Sequence, residues 1–192
     1  MSYKTQDTYF KKAKKEGYLA RSAYKLDEIQ KRCHILRKGD RVLDLGCAPG
    51  AWSQIALKIV GANGFVEGVD LKEVGLSAPN AKFRVKDAFE LTPEDFESKL
   101  FDVVVSDMAP NTTGHIGTDQ ARSEALCEQV IHLSDSLLKP KGHIVMKLFM
   151  GPGEKDIEAQ LKQRFEKIRR IRPDSTRKVS KEIFIVGLNK KA

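Results

Sequence analysis

The stretch Val42–Gln54, VLDLGCAPGAWSQ, limits what this chain can fold into more than any other. Val42 and Leu43 begin a short apolar run that Asp44 closes, and Gly46, Pro49 and Gly50 interrupt the chain before a helical pattern resumes at Trp52. That order reads as strand, tight turn and helix. Glycines at the carboxyl end of a strand let a ligand approach the backbone, and the amides that open the following helix form an electropositive end. A nicotinamide-type dinucleotide fingerprint requires G-x-G-x-x-G. Here Ala48 and Ala51 stand where its second and third glycines belong, so a pyrophosphate is disfavoured at this turn.

At 192 residues the chain has room for one domain with a real core. We expect a basic, mobile tail over residues 1–20 and a single α/β domain over 21–192. Its composition, 41% hydrophobic and 31% charged, is that of a globular protein. No apolar run approaches the roughly 20 residues that span a bilayer, and the first 20 residues lack the apolar core of a secretory signal. The expected setting is therefore the cytoplasm, with no membrane partner. Cys33, Cys47 and Cys127 have no C-x-x-C spacing, and His34, His115, His132 and His143 show no ligand spacing. Neither a disulfide framework nor a metal site is expected. A formal net charge of +8 instead suggests a polyanionic partner. Basic residues cluster at Lys11, Lys12, Lys14 and Lys15, at Arg164, Lys167, Arg169, Arg170 and Arg172, and at Arg177, Lys178 and Lys181. Lysines often do no more than solvate a surface, but three clusters flanking one fold favour nucleic acid.

Taken in order, Ala23, Leu26 and Ile29 mark an amphipathic helix from Ser22 to about Cys33, with Lys25 beside its apolar stripe. Arg41–Leu45 and Phe65–Val69 read as strands separated by a helix over Ala51–Val60. Asp70 ends the second strand, 24 residues after Gly46, near the offset of about 20 at which an acid meets a cofactor ribose. Lys82–Val85 is a short third strand followed by Asp87, which could accept from an adenine amino group or cap the helix that begins nearby. Phe101–Ser106 is nearly continuously apolar, hence a buried central strand, and it delivers Asp107 to the same edge. The segment from Met108 to Gly114 must be a loop, and Asp119–Leu138 is a crossover helix carried by Leu126, Val130, Leu133 and Leu137. Within the next strand, His143–Leu148, Lys147 sits among Val145, Met146, Leu148 and Phe149, where an ammonium is costly unless paired or turned outward. A helix over Asp156–Phe165, a short strand over Lys167–Ile171 and a last strand over Ile183–Leu188, with Glu182 at its start, complete the expected elements.

The variant D-L-G-x-A-P-G-x-W resembles the first motif of S-adenosylmethionine methyltransferases. With RSAYKLDEI around Lys25, SDMAPN around Asp107, VMKLF around Lys147 and SKEIFIVG around Glu182, it is similar to the FtsJ/RrmJ (RlmE) family of ribosomal RNA ribose 2'-O-methyltransferases, from about Ala20 to Leu188. The resemblance implies a Rossmann-like fold, a seven-stranded mostly parallel sheet with an antiparallel last strand and helices on both faces. It implies a catalytic set of Lys25, Asp107, Lys147 and Glu182. It also implies S-adenosylmethionine contacts at Gly46, Pro49, Gly50, Trp52, Asp70, Asp87 and Asp107, although Trp52 could equally pack against the sheet. Ala51 departs from the second glycine that many members carry there. The implied reaction is 2'-O-methylation of a ribose, a uridine in large-subunit (23S-type) RNA, by a monomer whose partner is the large ribosomal subunit. The alternatives are another RNA such as tRNA, a small-molecule or protein substrate, and a non-catalytic ribosome-assembly module.

Methyl transfer from a sulfonium is an in-line displacement that needs alignment of the hydroxyl and removal of its proton, and neither a metal nor a nucleophilic side chain. A free lysine titrates near about 10.4. A neighbouring sulfonium and a second lysine favour the neutral amine, whereas carboxylates and RNA phosphates favour the cation. From sequence, Lys147 as neutral base and Lys147 as orienting cation both stand.

Overall fold

The turn at Gly46 joins the first strand of a seven-stranded sheet to a helix packed on one of its faces. The computed structural model describes residues 8–97, 99–177 and 179–192. Its strands are β1 (Arg41–Leu45), β2 (Phe65–Asp70), β3 (Ala81–Val85), β4 (Phe101–Ser106), β5 (Leu138–Phe149), β6 (Phe165–Ile171) and β7 (Glu182–Lys190). Its α-helices are α1 (Thr8–Glu16), α2 (Ala23–Cys33), α3 (Ala51–Val60), α4 (Ile116–Leu137) and α5 (Glu154–Arg164). The spatial order is β3-β2-β1-β4-β5-β7-β6. Strands β1 to β5 pair in parallel, and β7 runs antiparallel to both β5 and β6. The chain thus has the Rossmann-like α/β architecture expected from its sequence, with the antiparallel last strand. The strand order reverses between β1 and β4, and ligands of open parallel sheets bind at the carboxyl edge of such a switch point.

Helices cover both faces, which is why β1, β4 and the second half of β5 are mostly apolar and almost wholly buried, Asp44 and Lys147 included. One core gathers Val104, Ile144, Met146, Leu148 and Ile185 under α4 and α5, and the other gathers Val103, Val105, Val145, Phe184 and Val186 under α2 and α3. Odd-numbered residues of β5 therefore point toward α2 and α3, Lys147 among them. With both faces covered, no outward direction exists for this lysine.

Two differences from expectation have clear causes. Residues 1–7 lie outside the described residues, but from Thr8 the expected tail is a helix. Ala13 is buried, Tyr9 and Tyr18 pack on Tyr24 with ring centroids 5.4 and 5.5 Å apart, and the Tyr24 hydroxyl donates to Glu16 at 2.7 Å. Dispersed tyrosines dock what the lysine content suggested would be free. Strand β5 begins at Leu138, five residues before His143, because Leu138 already pairs with Phe101 across a register shift at the edge of β4.

Candidate functional site

Four strands bring acids to one edge. Asp70 ends β2, Asp87 lies just past β3, Asp107 follows β4, and Asp44 is buried within β1 two residues before Gly46. Gly46 has φ +76°, and a Cβ on it would lie 2.6 Å from the Met108 side chain and 3.0 Å from its backbone. Only glycine allows the β1 and β4 turns to approach this closely. Between them opens a cavity of about 290 Å³, walled by Gly46, Ala48, Asp70, Asp87, Asp107 and Met108 among others.

The acids on this side are held by backbone amides. Asp70 accepts from the Ala48 N–H at 2.9 Å and from the Lys72 N–H at 3.0 Å. Asp87 accepts from the Phe89 N–H at 3.0 Å, capping the short 3-10 turn Ala88–Glu90 while still lining the cavity. The capping and binding readings of Asp87 are thus compatible, since a carboxylate has about four acceptor positions. Asp44 is fully buried. Its Oδ2 accepts from the Ser53 hydroxyl at 2.6 Å, and its Oδ1 has no hydrogen-bond partner among the described residues. Burial is the main cause that pushes this carboxyl up to about 7, and the charges of Asp107 and Asp70 add to it against the Ser53 bond.

The cavity wall does not include Pro49, Gly50 or Trp52. Gly50, at φ +114°, is packed instead against Leu19, Val74 and Leu76. Trp52 is 2% exposed, donates its indole N–H to the Ser22 carbonyl at 2.9 Å and lies 5.5 Å from the Phe184 ring. It braces α3 against α2 and β7, which is the packing alternative.

Lys72 and Lys86 also line the cavity, Lys86 paired with Asp95, whereas beyond Asp107 the acids themselves pair with amines. Lys147 is buried, and its Nζ donates to the Asp107 carbonyl oxygen and to Asp107 Oδ1 at 3.0 Å. Its place opposite Phe184 on the antiparallel β5–β7 ladder puts Glu182, two residues away, on the same face. Lys25 of α2 pairs with Glu182, and its Nζ stands 5.6 Å above the Phe184 ring. Burial alone would raise the Glu182 carboxyl. The pair with Lys25, the charge of Lys147 and the Ser180 hydroxyl outweigh it and hold the carboxyl below the usual range. Lys25, Asp107, Lys147 and Glu182, spread over 158 positions, are thus brought together as two neighbouring ion pairs, with both lysines beside Phe184. Asp107 belongs both to the cavity wall and to the lysine pairs.

A second depression, of about 390 Å³, has the Lys25–Glu182 pair in its wall, together with Arg21, Ser22, Arg177, Val179 and Ser180. Lys178 of the third basic cluster lies outside the described residues. Among the described residues no group of His, Cys, Asp or Glu could hold a metal ion, and no helix is long and apolar enough to cross a membrane.

Sequence reasoning missed Asp119, Ser123 and Gln120 on α4. They sit at the site's edge in positions where hydrophobic periodicity registers only polar residues. The signal that could have found Asp119 and Ser123 is their spacing, since 119, 123 and 127 continue the buried stripe of Val130 and Leu137.

The family model of FtsJ-like methyltransferases matches residues 18–190. A ribosomal RNA large subunit methyltransferase E of Bdellovibrio bacteriovorus is 46% identical over all of both chains. Another, of Desulfatibacillum aliphaticivorans, is 50% identical over 97% of this chain and 91% of its own. Among solved structures, a protein from Plasmodium falciparum described as a candidate ribosomal RNA methyltransferase superposes with a TM-score of 0.80 at 26% identity, covering 90% of this chain and 98% of that one. The fibrillarin of Aeropyrum pernix, crystallised with natively bound S-adenosyl-L-methionine, shares the fold with a TM-score of 0.63 at 19% identity over 87% of this chain and 76% of its own. With the full sheet, the glycine turn and the lysine–acid cluster in place, the chain belongs to the family of FtsJ-like methyltransferases.

Proposed function

We propose that this protein uses S-adenosylmethionine to methylate a ribose 2'-hydroxyl, that of a uridine, in large-subunit ribosomal RNA. The observation that carries the reading is the double membership of Asp107, which walls the cofactor-sized cavity and at the same time holds the amine of Lys147. The cavity suits that cofactor. Its acids would accept from ribose hydroxyls and an adenine amine, and Gly46 and Ala48 on its wall put no large side chain in the way of the methionine end. S-adenosylmethionine supplies an electrophilic methyl carbon on a sulfonium.

The chain's own residues do the rest. Asp70 and Asp87 would hold the nucleoside end, each already oriented by a backbone amide. Two donor positions of the Lys147 nitrogen are committed to Asp107, which leaves one position of that tetrahedral nitrogen to meet the ribose 2'-oxygen. Glu182 holds Lys25 in place and balances its charge. With the methyl donor bound, Lys147 would orient the 2'-oxygen for in-line attack, and the hydroxyl proton would pass to solvent water as the new oxygen–carbon bond forms.

RNA as the substrate is supported by the depression at Lys25, whose walls carry Arg21 and Arg177, and by the names of the relatives. Guanidiniums there would bind phosphates flanking the target nucleotide. The deciding experiment maps 2'-O-methyl groups on large-subunit RNA from cells with and without this protein. One uridine should lose its 2'-O-methyl group when the protein is absent. An unchanged map, or a methyl missing from a base instead, would refute the reading.

A further inference from the structure

The segment from Met108 to Gly114 contributes Met108, Ala109 and Asn111 to the cavity wall, yet residues 111–118 are exposed and cannot owe their conformation to burial. They owe it to α4. Asp119, in the first turn of that helix, is 8% exposed. It accepts from the Thr113 N–H at 2.8 Å, the Thr113 hydroxyl at 3.0 Å and the Gly114 N–H at 3.3 Å. Gly114 at φ +85° permits the turn, and Arg122 donates to the Asn111 carbonyl at 3.3 Å.

The next residues of the same helix hold the other site strand. Gln120 donates to the Met150 carbonyl at 2.6 Å, and Ser123 accepts from the Phe149 N–H at 3.0 Å. Glu124 accepts from the Gly153 N–H at 3.1 Å, and the Cys127 thiol donates to the Lys147 carbonyl at 3.1 Å. The first three turns of α4 thus tie together the segments that leave the Asp107 and Lys147 strands. A carboxylate buried for packing alone would be a poor choice, since its desolvation is costly unless three or more donors meet it.

We infer that Asp119 is a positioning residue for cofactor binding: it fastens residues 108–114 in the conformation that completes the cavity wall. The inference rests on the cofactor reading above. Its carboxyl is held below the usual range by the Thr113 and Gly114 donors, so the latch stays closed across the neutral range.

If the wall is populated in its competent form for only part of the time, apparent affinity falls by that fraction. Calorimetry with S-adenosylhomocysteine should therefore show about a tenfold rise in Kd for Asp119→Ala and about threefold for Thr113→Val. The KM for S-adenosylmethionine should rise in parallel, with kcat at saturation within about twofold. Asp119→Asn, which keeps an acceptor for Thr113 but presents an amide N–H to Gly114, should fall between wild type and Asp119→Ala. A merely structural role would lower the melting temperature and the active fraction and leave the Kd of the folded fraction unchanged. Should Asp119→Ala not fold, Thr113→Val decides, because it alters only the surface end of the latch. Variants that fold and bind within twofold of wild type overturn the inference alone. A wild-type chain that does not bind S-adenosylhomocysteine overturns the cofactor reading and this inference together.

Discussion

The two halves of the sheet's carboxyl edge are built on different electrostatic plans. On the β1–β3 side, Asp70 and Asp87 accept from backbone amides and, among the described residues, form no ion pair, although Lys72 and Lys86 share the cavity wall with them. On the β5–β7 side, each acid is matched to a lysine, Asp107 to Lys147 and Glu182 to Lys25. Amide-held acids suit a ligand that brings hydroxyls and amines, whereas matched pairs suit chemistry in which an amine must be held in place while a proton moves. Asp107 is where the two plans meet. Substitutions on one side should therefore change affinity, and substitutions on the other should change rate.

The largest effect is expected on the β5 side. Lys147→Ala should lower methyl transfer by about 10³-fold in a single-turnover assay while S-adenosylhomocysteine binds within about threefold of wild type. Retained turnover would remove Lys147 from the proposed catalytic set. On the β2 side, Asp70→Ala should weaken cofactor binding by about 10- to 100-fold, because it removes acceptors for the ribose and the anchor of Ala48. The rate at saturation should change only several-fold. A fall in rate with affinity intact would erase the distinction between the two halves.

Smaller effects come from the surface. Replacing Lys11, Lys14 and Lys15 by alanine should make RNA binding less salt-dependent, by about 0.7 to 0.9 log units per log of salt for each phosphate that these lysines neutralise. An unchanged slope would exclude α1 from the RNA surface.

The smallest functional change is expected at Asp44, whose effect is on stability. Burial pushes its carboxyl up to about 7, so the folded state holds a proton that the unfolded chain has released. Stability from this group is complete below the unfolded value near 3.8, is lost as pH rises toward 7, and is flat above. Asp44→Asn removes that dependence. Its melting temperature should gain on wild type by roughly 10 °C between pH 4.5 and pH 8, as read by calorimetry at the two values. A difference that does not vary with pH would mean that Asp44 is not raised.

Much of the fold could be read from the chain because its signals are local. The run FDVVVS carries the apolar pattern of a strand covered on both faces, and glycines at Gly46 and Gly50 are required by positive φ that other residues rarely adopt. The helix α4 shows where such reading stops. Its carboxyl-terminal half, with Val130, Leu133 and Leu137, declares itself by apolar spacing. Its amino-terminal half buries Asp119 and Ser123 instead, because what it faces there is unsatisfied loop backbone. Trp52 gives the same lesson from the other direction. Its place next to the glycine turn suggested a ligand contact, and the register of α3 against β7 turned it onto Phe184.

By itself the sequence determined the strand–turn–helix at Gly46, the placing of acids at strand ends and the cost of an amine inside β5, all of them properties of a few adjacent residues. Only the tertiary structure decided which acid stands by which amine, since Lys25 and Glu182 lie 157 positions apart and meet through the packing of α2 on β7. The physical reason is that a backbone conformation is set by near neighbours, whereas a buried charge is settled by whatever partner the whole fold brings within hydrogen-bond reach.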